Sequence, residues 1–140
     1  MPRILIPVDD SETTRKTLVA VAANRRRLPK TLYLLHVVED NLAWRMIPDF
    51  QLDMIRERAK QAGEKLLDEM AAPLEQAGFT VEKLLRSGSA RQVIPEVANE
   101  ENFDLLIIGR HADGGEIRDV LFGSVANYIM HHVRCPVLLV

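Results

Sequence analysis

Apolar and polar positions along the chain change period several times, and each change predicts a new element. Arg3-Ile4-Leu5-Ile6-Pro7-Val8 is a short, nearly unbroken aliphatic run, the pattern of a strand buried on both faces. Asp9-Asp10-Ser11 then offers side-chain oxygens to the first turn of a helix, in which Leu18, Val19, Ala22 and Ala23 recur at helical spacing until Leu28-Pro29 stops it. Thr31 to Val38 predicts a second aliphatic strand. Glu39 to Phe50 carries Trp44 and Pro48 without a clear period and reads as a loop or broken helix. From Leu52 onward Ile55, Ala59, Ala62, Leu66, Met70 and Leu74 form the stripe of a long amphipathic helix that ends at Ala77-Gly78 and kinks at Pro73. Thr80 to Arg86 predicts a third strand, less apolar and so nearer a sheet edge. Ser89-Ala90-Arg91-Gln92 is a capping-box signature, opening a helix that buries Val93, Ile94, Val97 and Ala98 and contains Pro95. Leu105 to Gly109 predicts a fourth strand, Gly123-Ser124 to Val133 a last helix, and Pro136 to Val140 a fifth strand.

Strands alternating with helices in this way predict an α/β fold: one doubly wound, five-stranded parallel sheet of the Rossmann-like kind, with helices on both faces, spanning 1–140 as a single domain. Such sheets take ligands beyond the carboxyl ends of their strands, where the strand order reverses. Asp9, Val38 and Gly109 are therefore expected to meet in one crevice. The length of 140 residues suits one packed domain rather than two, and with only 5% aromatics the core must be filled by aliphatic side chains. Eighteen Lys+Arg against twenty Asp+Glu leave a charge of -2, which supplies no basic field for nucleic acid. The single Cys135 allows no internal disulfide, and no apolar run approaches the roughly 18 residues that span a bilayer. Met1-Pro2-Arg3 leads directly into the first strand, without the pattern of a signal peptide. These features predict a cytoplasmic protein with neither membrane nor nucleic-acid partners.

The last third carries the most chemistry. Gly109-Arg110-His111-Ala112-Asp113-Gly114-Gly115 leaves a buried strand and is followed, seven residues on, by Gly123-Ser124-Val125. A glycine-bearing loop lets backbone N–H groups approach an anion closely, and the next helix adds free N–H groups and a positive dipole end. Ser124 suits both a helix cap and a hydroxyl donor to a phosphate oxygen. Equally, Gly109 could only end a strand and Ser124 only cap a helix.

The whole pattern resembles the universal stress protein family, whose hallmark is glycine, two residues, glycine, nine residues, glycine, then serine or threonine. The resemblance rests on Ile4 to Asp9, His36-Val37-Val38, Gly88, Leu105 to Gly109, Gly123-Ser124-Val125 and Cys135 to Val140. It implies an adenine nucleotide alpha hydrolase-like version of the fold and an ATP site, with or without Mg²⁺. The positions implied for that site are Pro7, Val8, Asp9, Val38, Gly109, Arg110, His111, Gly123, Ser124 and Val125. The strand-one aspartate and the end of strand two would take adenine and ribose, and the glycine loop with Gly123-Ser124 the phosphates. The resemblance further implies a stress-response sensor or regulator without catalysis beyond weak ATP hydrolysis, and a homodimer pairing the strands Val137 to Val140 of two subunits. An apolar last strand with no charge to discourage edge pairing points the same way.

The chain departs from the hallmark at the second glycine. Counted from Gly109 that position is Ala112, and counted back from Gly123 it is Asp113. A carboxylate aimed at the phosphates would oppose binding by a few kcal/mol, roughly the scale for close like charges at low dielectric. Arg110 and His111 would offset it. The competing expectation is thus a dimeric family member that has lost nucleotide binding and acts as a protein-interaction module. A Walker loop is excluded because Gly115-Glu116 stands where Lys-Ser/Thr is required. His131 and His132 are neighbours on a helix and predict solvated positions rather than a metal site. His36 predicts a hydrogen-bonded core or crevice-wall residue, Cys135 a packing residue, and Arg25-Arg26-Arg27 cations complementing a helix C-terminus. Asp9 is a candidate general base without a nucleophile or partner carboxylate beside it in sequence.

Overall fold

The aliphatic runs become the strands of one parallel sheet. A computed structural model describes residues 2–40, 42–109 and 124–140, apart from the side chains of residues 42, 43 and 124. The elements are β1 (Ile4–Pro7), α1 (Glu12–Ala23), β2 (Thr31–Val38), a 3-10 helix (Leu42–Met46), α2 (Asp49–Gln76), β3 (Thr80–Ser87), α3 (Ala90–Glu100), β4 (Leu105–Ile108), α4 (Ser124–His132) and β5 (Val137–Leu139). Strand order is β3-β2-β1-β4-β5, with every pairing parallel. Leu5 pairs with Tyr33 on one side and Leu106 on the other, so β1 is central. The order reverses between β1 and β4.

Alternation along the strands divides the core. Ile4, Ile6, Leu32, Leu34 and Ile107 face Leu18 and Val21 of α1 and Leu67, Met70, Ala71 and Leu74 of α2. Leu5, Leu35, Val37, Leu106 and Ile108 face Ile94, Val97 and Ala98 of α3 and Ile129 of α4. Helices thus cover both faces. Burial at nearly every position of β1 and β4 explains why these two strands read as continuous apolar runs. β3, the least apolar of the long strands, lies at one edge, as its sequence predicts.

Several local expectations change. α2 starts at Asp49 rather than Leu52, is preceded by the 3-10 helix, and continues through Pro73 to Gln76. Its buried seam is Gly63, Leu67, Met70, Ala71 and Leu74; Ala62 is exposed to the crevice described below. Ser89 makes no side-chain cap to α3. Instead the Glu39 carboxylate accepts from the Ala90 N–H at 2.7 Å, because the end of β2 lies beside the start of α3. Gly88 precedes that helix with φ of +136°, a conformation that favours glycine, and its N–H donates to the Val38 carbonyl at 3.1 Å. Arg25 to Arg27 lie beyond the last turn of α1, so they do not complement its C-terminus. Arg25 instead sits 5.0 Å over the Phe79 ring and donates to the Gly78 carbonyl.

Candidate functional site

Where β1 and β4 diverge, the carboxyl ends of the strands open into a crevice of about 910 Å³. Pro7, Val8, Asp9, Val38, Gly109 and Val125 all line it, so these six positions, far apart in sequence, meet. Ser124 is the first residue of α4. Arg110, His111 and Gly123, together with Ala112 and Asp113, lie outside the described residues.

The β1 side of the crevice is held by hydrogen bonds. Val8 N–H donates to the Leu35 carbonyl at 2.8 Å, extending the β1–β2 pairing, and the Val8 carbonyl lies 2.9 Å from His36 Nδ1. A carbonyl only accepts, so His36 carries its proton on Nδ1, which makes it a hydrogen-bonded crevice wall as its place in β2 suggests. Asp9 Oδ1 accepts from the hydroxyls of Ser11 and Thr14, the latter at 2.6 Å. Ser11 also caps α1 by accepting from the Thr14 N–H at 3.1 Å. The exposed Asp10 pairs with Arg15, whose guanidinium is pushed above its usual range mainly by that hydrogen bond, so the Asp10 charge is countered locally.

On the β4 side the backbone comes very close to α1. A Cβ at Gly109 would lie 2.2 Å from Thr17 Oγ1 and 2.8 Å from Thr13 Cγ2. Thr17 is not free to yield, since its hydroxyl donates to the Thr13 carbonyl at 2.8 Å. Only glycine fits. Gly63 does the same for the roof: it brings α2 against His36, Val38 and Leu85, leaving Ala59 and Ala62 as small residues over the crevice. Sequence reasoning misses Ser11, Thr13, Thr14 and Thr17 of α1, Glu39, and this small-residue face of α2. A threonine cluster in the first turns after Asp9-Asp10 is the one signal that points to the first group.

The chemistry offered is recognition. Asp9 presents an acceptor, and the surrounding walls are mostly apolar, interrupted by the α1 hydroxyls, His36 and Glu39. No group of three or more His, Cys, Asp or Glu side chains suited to a metal occurs among the described residues. His132 Nδ1 lies 2.7 Å from the Tyr128 carbonyl and its ring stacks on Tyr128, centroids 3.8 Å apart. Cys135 is partly buried, and burial raises its thiol pKa, which keeps it protonated near neutrality. No described helix is long and apolar enough to cross a membrane.

A doubly wound parallel sheet with a ligand-sized crevice at its topological switch point defines an open α/β class of Rossmann-like fold. Within that class, the family model described as "Universal stress protein family" matches residues 1–140. This chain belongs to the universal stress protein family. It is 25% identical over 153 residues to universal stress protein MJ0577 of Methanocaldococcus jannaschii, covering 99% of this chain and 93% of that protein. The solved structure of MJ0577 superposes with a TM-score of 0.78 at 27% identity, covering 99% and 94% of the two chains. A universal stress protein from Archaeoglobus fulgidus in complex with dAMP shares the fold at TM-score 0.67 and 21% identity, over 99% and 97% of the chains. A universal stress protein in complex with cAMP does so at TM-score 0.65 and 20% identity, over 99% and 95%.

Proposed function

We propose that this protein is an adenine-nucleotide-binding stress-response sensor or regulator, taking ATP, with or without Mg²⁺, in the crevice between β1 and β4. The observation that carries this reading is the meeting of Asp9, Val38 and Gly109 at the switch point. The residues present suit the ligand. A volume of about 910 Å³ lies within the roughly 300–1,000 Å³ of small-molecule sites, and the walls are mostly apolar; of the lining carboxylates Asp10 is paired with Arg15 and Glu39 with the Ala90 N–H, which leaves Asp9 as the acceptor. Complexes of two fold neighbours with dAMP and cAMP support an adenine nucleotide over other ligands. Pro7, Val8, Asp9 and Val38 would hold adenine and ribose. Gly109, Arg110, His111, Gly123, Ser124 and Val125 would hold the phosphates. The hydroxyls beside Asp9, those of Ser11 and Thr14, are tied into the cap of α1 and into Asp9 itself, which favours binding over catalysis beyond slow ATP hydrolysis. The reading places the protein in the cytoplasm.

Calorimetric titration with ATP and Mg²⁺ tests it. The wild type gives a saturable heat, and Asp9→Ala weakens binding about tenfold or more, the scale of losing a charge-assisted hydrogen bond. No heat at millimolar nucleotide contradicts the reading and leaves the interaction module in its place.

The same reading includes a homodimer through residues Val137 to Val140. Its support is that β5 is an edge strand whose Leu138 is 43% exposed. Leu138→Arg is expected to sediment as a monomer at concentrations where the wild type is a dimer; a dimer in both counts against strand pairing.

A further inference from the structure

We infer that Thr14 is a positioning residue for the Asp9 carboxylate, setting it for a hydrogen-bond donor on the bound nucleotide; this rests on the nucleotide reading above. The Thr14 hydroxyl touches Asp9 at both ends. It accepts from the Asp9 N–H at 3.2 Å and donates to Asp9 Oδ1 at 2.6 Å. Thr14 is 8% exposed, in the first turn of α1, whereas Asp9 is exposed at the crevice. A buried hydroxyl thus restrains an exposed carboxylate. Ser11 adds a second donor to the same Oδ1, so that oxygen is occupied, while Oδ2 accepts no hydrogen bond from any described residue. Among the described residues, then, Oδ2 is the atom left for a ligand.

The division of work between the two hydroxyls makes Thr14 the informative one. Ser11 is also the N-cap of α1, so its loss confounds helix stability with site geometry. The Thr14 hydroxyl bonds to Asp9 and lies 3.3 Å from the Ser11 hydroxyl, and its replacement by the isosteric valine leaves the cap oxygen of Ser11 in place. A carboxylate that is already fixed loses less rotational freedom on binding, and the complex gains accordingly.

The test uses AMP as probe, with calorimetry on the full chain and its Thr14→Val, Thr14→Ser, Asp9→Ala and Thr14→Val/Asp9→Ala variants. Thr14→Val is expected to weaken AMP about five- to tenfold, the scale of one charge-assisted hydrogen bond, and Thr14→Ser to restore most of it. In the Asp9→Ala background Thr14→Val should weaken AMP less than about twofold further, since the two residues act as one unit. Wild-type affinity in Thr14→Val, or the same fold loss with and without Asp9, overturns the positioning role. A wild type that binds neither AMP nor ATP overturns the nucleotide reading instead. The positioning claim is then decided by crystal structures of the wild type and Thr14→Val. An Asp9 carboxylate in the same rotamer in both contradicts it, and a rotated or disordered carboxylate in the variant upholds it.

Discussion

At the amino end of the sheet Arg3 lies 4.7 Å from the Phe103 ring centroid and 5.0 Å from that of Tyr33, and those rings meet edge to face at 5.1 Å. Asp104 closes the arrangement, its carboxylate accepting from the Arg3 N–H at 2.7 Å. At the carboxyl end, one strand length away, Asp9, Val38 and Gly109 surround open space. Charged residues occur at both ends of β1 but meet different surroundings. Arg3 is spent on aromatic faces and a neighbouring strand. Among the described residues Asp9 is held by hydroxyls at Oδ1 only, and its Oδ2 accepts no hydrogen bond. The difference teaches that a charge at a strand end is a candidate for ligand binding only where its open part faces a crevice, as that of Asp9 does and the buried Arg3 Nε does not.

The comparison breaks first at Gly109. Gly109→Val drives a side chain into Thr13 and Thr17, and is expected to cost about 3 kcal/mol in urea unfolding, the upper range for overpacking, and to abolish nucleotide binding. Unchanged stability and affinity would mean that the close approach of β4 to α1 is incidental. Arg3→Ala should separate the two effects. It removes the cation between two rings and lowers stability by about 1 kcal/mol, partly offset because Arg3 Nε is buried without a described partner, while ATP affinity stays at the wild-type value. A several-fold change in affinity would show that the two ends are coupled through β1.

The fold is largely legible in the sequence because a parallel strand buried on both faces needs apolar residues at successive positions, and Ile4 to Ile6, Leu105 to Ile108 and Thr31 to Val38 supply them. The crevice is legible as far as Asp9, Val38 and Gly109, since strand ends fix where a switch point lies. What hides is whatever depends on approach between distant elements. Gly63 carries no hydropathy signal, yet it sets the α2 seam and leaves Ala62 facing the crevice. Ser89 has the capping residue type, but Glu39, fifty-one positions before Ala90, takes the Ala90 N–H because β2 ends beside α3. Thr14 looks like an ordinary helix residue until its hydroxyl is seen against Asp9.

The central claim is that the carboxyl end, and not the amino end, takes an adenine nucleotide. Amide chemical shifts of the labelled protein titrated with ATP and Mg²⁺ test it most directly. The account predicts progressive shifts at Asp9, Val38, Gly109 and Val125, with Arg3, Phe103 and Asp104 unmoved. Shifts centred on Arg3 and Asp104, or no shifts at millimolar nucleotide, would contradict it.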